Sequence, residues 1–166
     1  DALSLAGHFA DGEKICVILV DNILEHPIRD AANDFRQQES GAKILLKQVH
    51  DAERFGVAEM QGDKVIGIEE KPAKPKSNYA VTGVYFYDAS VFDKVKKLVP
   101  SRRNELEITD VNNAYIREGT MTFGFVNGWW TDAGTFESLL RATNLVAGSK
   151  GVSPMGEYAD GRHIQD

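Results

Sequence analysis

The chain has 166 residues, 42% of them hydrophobic and 27% charged, with a formal net charge of −6. This composition suits one globular domain with a real core and excludes a wholly disordered chain or two ordinary domains. The acidic balance argues against nucleic acid as a partner, because phosphate backbones are gripped by basic stripes, yet it leaves room for a small phosphorylated ligand.

In chain order, Ala2 to Phe9 reads as the last turns of a helix, so that the sequence from Asp1 opens as if within a domain. Ile15-Cys16-Val17-Ile18-Leu19-Val20 is a continuous apolar run without alternation. That pattern predicts a strand buried on both faces, as in a parallel sheet covered by helices. Cys16, inside the run, is expected to be a core residue. As the one cysteine it excludes an intrachain disulfide. Pro27 suits a first helical turn, Ile28, Ala31, Ala32 and Phe35 follow at helical spacing, and Gly41 is the expected stop. Ala42 to Val49 is the next strand.

The middle of the chain changes character. Phe55 to Met60 and Lys64 to Glu69 alternate around Gln61-Gly62-Asp63, the pattern of a β-hairpin. A proline-punctuated loop runs from Glu70 to Ser77, and a long aromatic strand from Tyr79 to Tyr87. Asp88 or Ser90 caps a helix carrying Val91, Phe92, Val95 and Leu98, which Pro100 ends. A second helix is predicted from about Glu107 to Glu118, closed by Gly119. Met121 to Val126 returns to strand, Asn127-Gly128 turns, and Thr135 caps a helix with Phe136, Leu139, Leu140 and Val146 on its apolar face. The expected fold is therefore α/β: a Rossmann-like mixed, mainly parallel sheet flanked by helices, with an inserted β-hairpin. Residues 1–147 form the domain and residues 148–166 a weakly ordered tail. No apolar run is long enough for a bilayer or flanked like a signal peptide, so the expectation is a cytoplasmic protein with no membrane partner.

Three places carry candidate chemistry. Asp21 follows the first strand, at the edge where open α/β sheets place ligands, although a turn cap reads equally well. Asp132 precedes Ala133-Gly134-Thr135, where a glycine permits close approach and a helix begins; a simple pre-helix loop is the plain alternative. Two such carboxylates can share one Mg²⁺, which keeps several waters and takes one or two carboxylates plus substrate phosphates. Third, Lys71, beside Pro72, offers a point charge for phosphate, and Glu70 an acceptor for a sugar hydroxyl. Gly56 and Gly83 interrupt strands, which marks a bulge or a close approach. Tyr85, Trp129 and Trp130 read more as core than as ligand platforms. The four histidines, with the single cysteine, show no metal-ligand spacing, and there is no Walker or dinucleotide glycine loop.

Five segments, in order and spacing, resemble the sugar-1-phosphate nucleotidylyltransferases: Val20-Asp21-Asn22; Arg54 to Glu59 followed by Ile68-Glu69-Glu70-Lys71-Pro72; Tyr79 to Asp88; Asn104 to Asn112; and Trp130-Thr131-Asp132-Ala133-Gly134-Thr135. The resemblance runs from about residue 1 to residue 147 and is nearest to the thymidylyltransferase branch. It implies transfer of a nucleotidyl group from a nucleoside triphosphate to a sugar 1-phosphate, with pyrophosphate leaving, as in dTDP-glucose formation for dTDP-rhamnose biosynthesis. It implies Mg²⁺ held by Asp21 and Asp132 and a sugar phosphate contacted by Lys71. Gly56, Glu70, Val81 and Tyr85 would line the sugar pocket, and the protein would be a homo-oligomer. Val20 departs from the family's glycine, and the family's Gly-rich triphosphate loop is not among these residues. The chain by itself is accordingly expected to be catalytically incomplete and prone to self-associate. A sugar-phosphate-binding module without catalysis is the other reading, and a metal-dependent glycosyltransferase-like domain a third.

Overall fold

The structure, a computed structural model, describes residues 2–101 and 104–151. Its elements in chain order are α1 (Ala2–Leu5), α2 (Gly7–Ala10), β1 (Ile15–Ile18), β2 (Asn22–Leu24), α3 (Arg29–Gln37), β3 (Ala42–Gln48), β4 (Gly56–Gln61), β5 (Lys64–Glu70), β6 (Tyr79–Tyr87), α4 (Val91–Lys96), α5 (Ile108–Arg117), β7 (Met121–Phe125), β8 (Trp130–Asp132) and α6 (Phe136–Ser149). The chain folds as two compact units, one of Asp1–Ile18 with Ile28–Phe125 and one of Leu19–Pro27 with Val126–Asp166.

The first unit is built around β6. This strand pairs with β3 on one side, and on the other with β4 near its start and β1 near its end. All its residues but Tyr79 are buried. Successive side chains of a strand face opposite ways, so Phe86 and Tyr87 report on the two faces of the sheet. Phe86 meets Phe35 of α3 with ring centroids 5.7 Å apart, and Tyr87 stacks on Tyr115 of α5 at the same separation. Helices therefore cover both faces of the sheet. Val91 and Val95 of α4 join Val111 and Tyr115 of α5 in the core that receives Ile44, Leu46, Val81, Tyr85 and Tyr87.

The α/β class and the mixed sheet agree with the sequence, but the expected parallel majority does not appear. Among the described strands β3 and β7 run parallel, while β1–β6, β3–β6, β4–β5 and β4–β6 are antiparallel. The hairpin and the long strand after it supply the antiparallel pairs. The reading of Ile15 to Val20 is also corrected. β1 stops at Ile18 and alternates, with Ile15 and Val17 against the core and Cys16 and Ile18 outward. It borders only β6 among the described strands, so one edge is unpaired, and its alternating burial leaves Cys16 and Ile18 on the exposed face. Cys16 is exposed rather than a core residue, and partial crowding of its sulfur pushes the thiol up, the reverse of what a nucleophile needs.

Gly41 is not the helix stop either. α3 ends at Gln37, and the Lys14 ammonium hydrogen-bonds the carbonyls of Phe35, Arg36 and Gln38, a cation at a helix C-terminus. The second helix does close as predicted, with Gly119 at φ +71°. α6 starts at Thr135, whose Oγ1 accepts from the Ser138 N–H at 3.1 Å while Ser138 Oγ accepts from the Thr135 N–H at 3.0 Å. The face expected to be buried is exposed: Phe136 is 90% and Leu140 63% accessible, while the small residues Ser138 and Ala142 are buried. Close packing against β8 selects the small side of the helix. α6 continues through Ser149, two residues into the tail expected over 148–166, and residues 152–166 lie outside the described residues.

Asp88 ties the first unit together. Its Oδ1 accepts from the Tyr115 hydroxyl at 2.9 Å and the Ser90 N–H at 3.0 Å, and its Oδ2 from the Gly41 N–H at 2.5 Å. Burial opposes ionisation, but these donors, with the Ser90 hydroxyl, outweigh it and hold the carboxyl below its ordinary value of 3.8. A depressed carboxyl contributes stability that is complete above its unfolded pKa and is lost as pH falls through the folded one. Thermal melts from about pH 5 down to about pH 2 should show the melting temperature dropping below the ordinary aspartate range, and Asp88→Asn should flatten that part of the profile. Parallel profiles for the two proteins would contradict the assignment.

Candidate functional site

The sequence-predicted residues fall into two groups, one in each unit. In the second unit, β2 and β8 form a two-stranded antiparallel ribbon in which Asn22 stands opposite Asp132. The Ala133 N–H donates to the Asp21 carbonyl at 2.8 Å, so the ribbon's hydrogen bonding continues past its end. This pairing brings together two carboxylates that are far apart in sequence. A β-carbon placed on Gly134 would lie 3.1 Å from Asp21 Oδ2 and 3.8 Å from Asp132 Oδ2, so both oxygens converge on the bare backbone there. Asp21 Oδ1 is turned the other way and accepts from the Asn22 side-chain amide at 2.9 Å. Hard carboxylate oxygens facing one open point suit Mg²⁺, which needs no more than one or two of them. No cluster of three or more His, Cys, Asp or Glu suited to a metal occurs among the described residues, so a site built from protein ligands alone is not offered there.

In the first unit, Gly56 begins β4 directly opposite Glu70 at the end of β5. A β-carbon on Gly56 would sit 3.2 Å from Glu70 Oε2 and 3.5 Å from Thr109 Oγ1. Thr109 is buried in the first turn of α5 and donates to Glu70 Oε2 at 2.6 Å. That bond fixes the carboxylate over the glycine. Sequence reasoning misses Thr109, because a threonine in a first helical turn reads as a cap. The signal available is the segment Asn104 to Asn112, recognisable as a motif without a role for any one of its residues.

Lys71 follows at φ +45°, its N–H bonded to the Phe55 carbonyl at 3.0 Å. A left-handed backbone is uncommon for a side chain of this size and is held here between that bond and Pro72. The Lys71 side chain is exposed, and no carboxylate pairs with its ammonium among the described residues. Val57 pairs with Ala80, which places Val81 beside Gly56 in register. Val81 is 8% exposed, at the margin of the core. Tyr85 is not brought to this group. It lies four residues further along β6, about 13 Å at strand rise, paired with Val17 and Ile44 and stacked on Tyr87 with centroids 6.0 Å apart.

No described helix is long and apolar enough to cross a membrane. The sequence profile of the nucleotidyl transferase family matches residues 1–149. A glucose-1-phosphate thymidylyltransferase of Xanthomonas campestris pv. campestris is 44% identical over 145 residues, covering 83% of this chain and 48% of its own length. The enzyme of that name from Neisseria meningitidis is 38% identical over 152 residues, 87% of this chain and 52% of its own. A Bacillus anthracis crystal structure named for the same activity, determined with sucrose bound, superposes with a TM-score of 0.82 at 53% identity, covering 87% of this chain and 58% of that one. A UDP-glucose pyrophosphorylase at 20% identity and a TM-score of 0.78 shares the fold. The chain spans about half the length of the curated relatives it matches. It belongs to the nucleotidyl transferase family.

Proposed function

We propose that this chain carries the sugar-phosphate-binding residues and the metal carboxylates of an enzyme of nucleotide-sugar biosynthesis. That enzyme transfers dTMP from dTTP to glucose 1-phosphate, giving dTDP-glucose and pyrophosphate. The observation that carries the reading is the convergence of Asp21 and Asp132 over Gly134, two residues that family membership alone does not bring together in space. Bound there, Mg²⁺ supplies charge neutralisation for the triphosphate. The chain's own residues position the acceptor. Lys71 holds the phosphate of glucose 1-phosphate as a point charge on a fixed backbone. Glu70, oriented by Thr109, accepts from sugar hydroxyls, and Gly56 lets the ring approach the strand.

Acceptor binding can be measured without turnover. Calorimetric titration with glucose 1-phosphate should give one site per chain. Lys71→Ala should weaken it roughly tenfold, the worth of one charge-assisted contact. Thr109→Val, which removes only the donor to Glu70, should weaken glucose 1-phosphate by a similar factor and leave the affinity for inorganic phosphate unchanged. No binding by the unaltered protein, or equal binding by Lys71→Ala, would contradict the assignment.

A further inference from the structure

The Asp21 carboxylate is held by a chain of two hydrogen bonds. Trp130 Nε1 donates to Asn22 Oδ1 at 2.7 Å, and Asn22 Nδ2 donates to Asp21 Oδ1 at 2.9 Å. An indole N–H can only donate. The Asn22 oxygen must therefore face Trp130, and its NH₂ must face Asp21. The amide orientation, ordinarily ambiguous, is fixed by the tryptophan. Trp130 is itself anchored: it is 9% exposed and sits in β8, paired in register with Leu24 of β2. The relay thus starts from a buried ring and ends on one named oxygen.

The consequence is a division of labour within Asp21. Oδ1 is taken up by Asn22, and Oδ2 is left toward Gly134, beside Asp132 Oδ2. The Asn22 amide that holds the carboxylate is neutral, so the full negative charge of Asp21 is kept for a cation. We propose that Trp130, acting through Asn22, is a positioning residue that sets which oxygen of Asp21 meets a divalent cation; this rests on the reading of Asp21 and Asp132 as the metal carboxylates. Without the indole N–H the Asn22 amide loses the donor that sets its orientation, and the bond that holds Asp21 Oδ1 away from Asp132 is weakened.

The test uses Mn²⁺ alone as the probe, its free concentration read by electron paramagnetic resonance. Outer-shell hydrogen bonds to metal ligands are typically worth about 10–100-fold in affinity. Trp130→Phe, which keeps an aromatic ring and loses the donor, should weaken Mn²⁺ binding about tenfold or more. Asn22→Ala should do the same, and the double variant should be no weaker than either single one, because both act on one relay. Wild-type affinity in Trp130→Phe, with binding lost in Asp21→Asn, would overturn the relay and leave the metal site standing. Undiminished binding in Asp21→Asn would overturn the metal reading itself and the relay with it. If Trp130→Phe does not fold, ¹⁵N–¹H spectra of the unaltered protein decide. The Trp130 indole resonance should move when Mg²⁺ is added and should stay in place in Asp21→Asn; an indole signal insensitive to Mg²⁺ would overturn the proposal.

Discussion

Asp132→Asn should reduce divalent-cation affinity by more than about 100-fold, beyond the roughly 10–100-fold typical of residues that only orient a ligand. The change is nearly isosteric and keeps the β2–β8 pairing, in which Asp132 takes part through its backbone opposite Asn22. It removes the charge that the ion would share with Asp21. Asp21→Asn should have an effect of the same order, since the ion is shared between the two carboxylates, and the double variant should bind more weakly than either. Thermal stability should be unchanged, since the substitution keeps the size of the side chain and the strand pairing. Binding isotherms for Mn²⁺ with parallel melting curves check both statements. A large loss of stability without a loss of affinity would make Asp132 a structural residue.

The second large effect concerns the backbone of the first unit. Gly41→Ala is expected to destabilise the fold by about 3 kcal/mol or more. Two costs add. The backbone has φ +99°, a conformation that residues with a β-carbon rarely adopt. A β-carbon would also sit 2.1 Å from the Thr120 carbonyl oxygen, which is backbone and cannot swing away. That carbonyl accepts from the Ala42 N–H at 3.0 Å where β3 and β7 begin to run side by side. Gly119→Ala is the control, because Gly119 has φ +71° and a β-carbon there would meet nothing within 4 Å. It should cost only the left-handed strain, about 1–2 kcal/mol. Urea denaturation should show a much larger drop in midpoint for Gly41→Ala than for Gly119→Ala, with slopes unchanged. Equal costs would mean that the contact with Thr120 relaxes freely. Against a total stability of about 5–15 kcal/mol, the Gly41 substitution is near the limit the fold can carry.

Local pattern makes much of this structure legible. The hairpin, the long strand from Tyr79 to Tyr87 and the helix closed by Gly119 are set by neighbours in sequence: a short turn, period-two alternation and a terminating glycine. Strand partners are a different matter. Nothing within Ile15 to Val20 reports that the run borders β6 alone among the described strands and leaves Cys16 and Ile18 outward. An apolar run is necessary for a doubly covered strand, and an exposed edge strand can carry one too. The continuous burial expected there is found in β6, where helices pack on both faces. α6 shows the same limit. Its large apolar residues make the more obvious stripe, but Ser138 and Ala142 pack inward.

The candidate site divides along similar lines. Asp21, Asp132, Glu70 and Lys71 are readable because each sits at the end of an element, beside a glycine, a proline or a turn. Their supports are not. Thr109 reaches Glu70 across 39 residues, and Trp130 reaches Asn22 across 108. Such contacts depend on tertiary pairing, and a threonine or a tryptophan serves many purposes in a core.

The central claim is that Asp21 and Asp132 together hold a metal ion, and the most direct measurement is anomalous diffraction from crystals soaked with Mn²⁺ and glucose 1-phosphate. An anomalous peak is expected bonded to Asp21 Oδ2 and to the Asp132 carboxylate above Gly134, with the phosphate of glucose 1-phosphate against Lys71 and its hydroxyls against Glu70. Ordered glucose 1-phosphate with no peak at the two aspartates, or a peak on other residues, would contradict it.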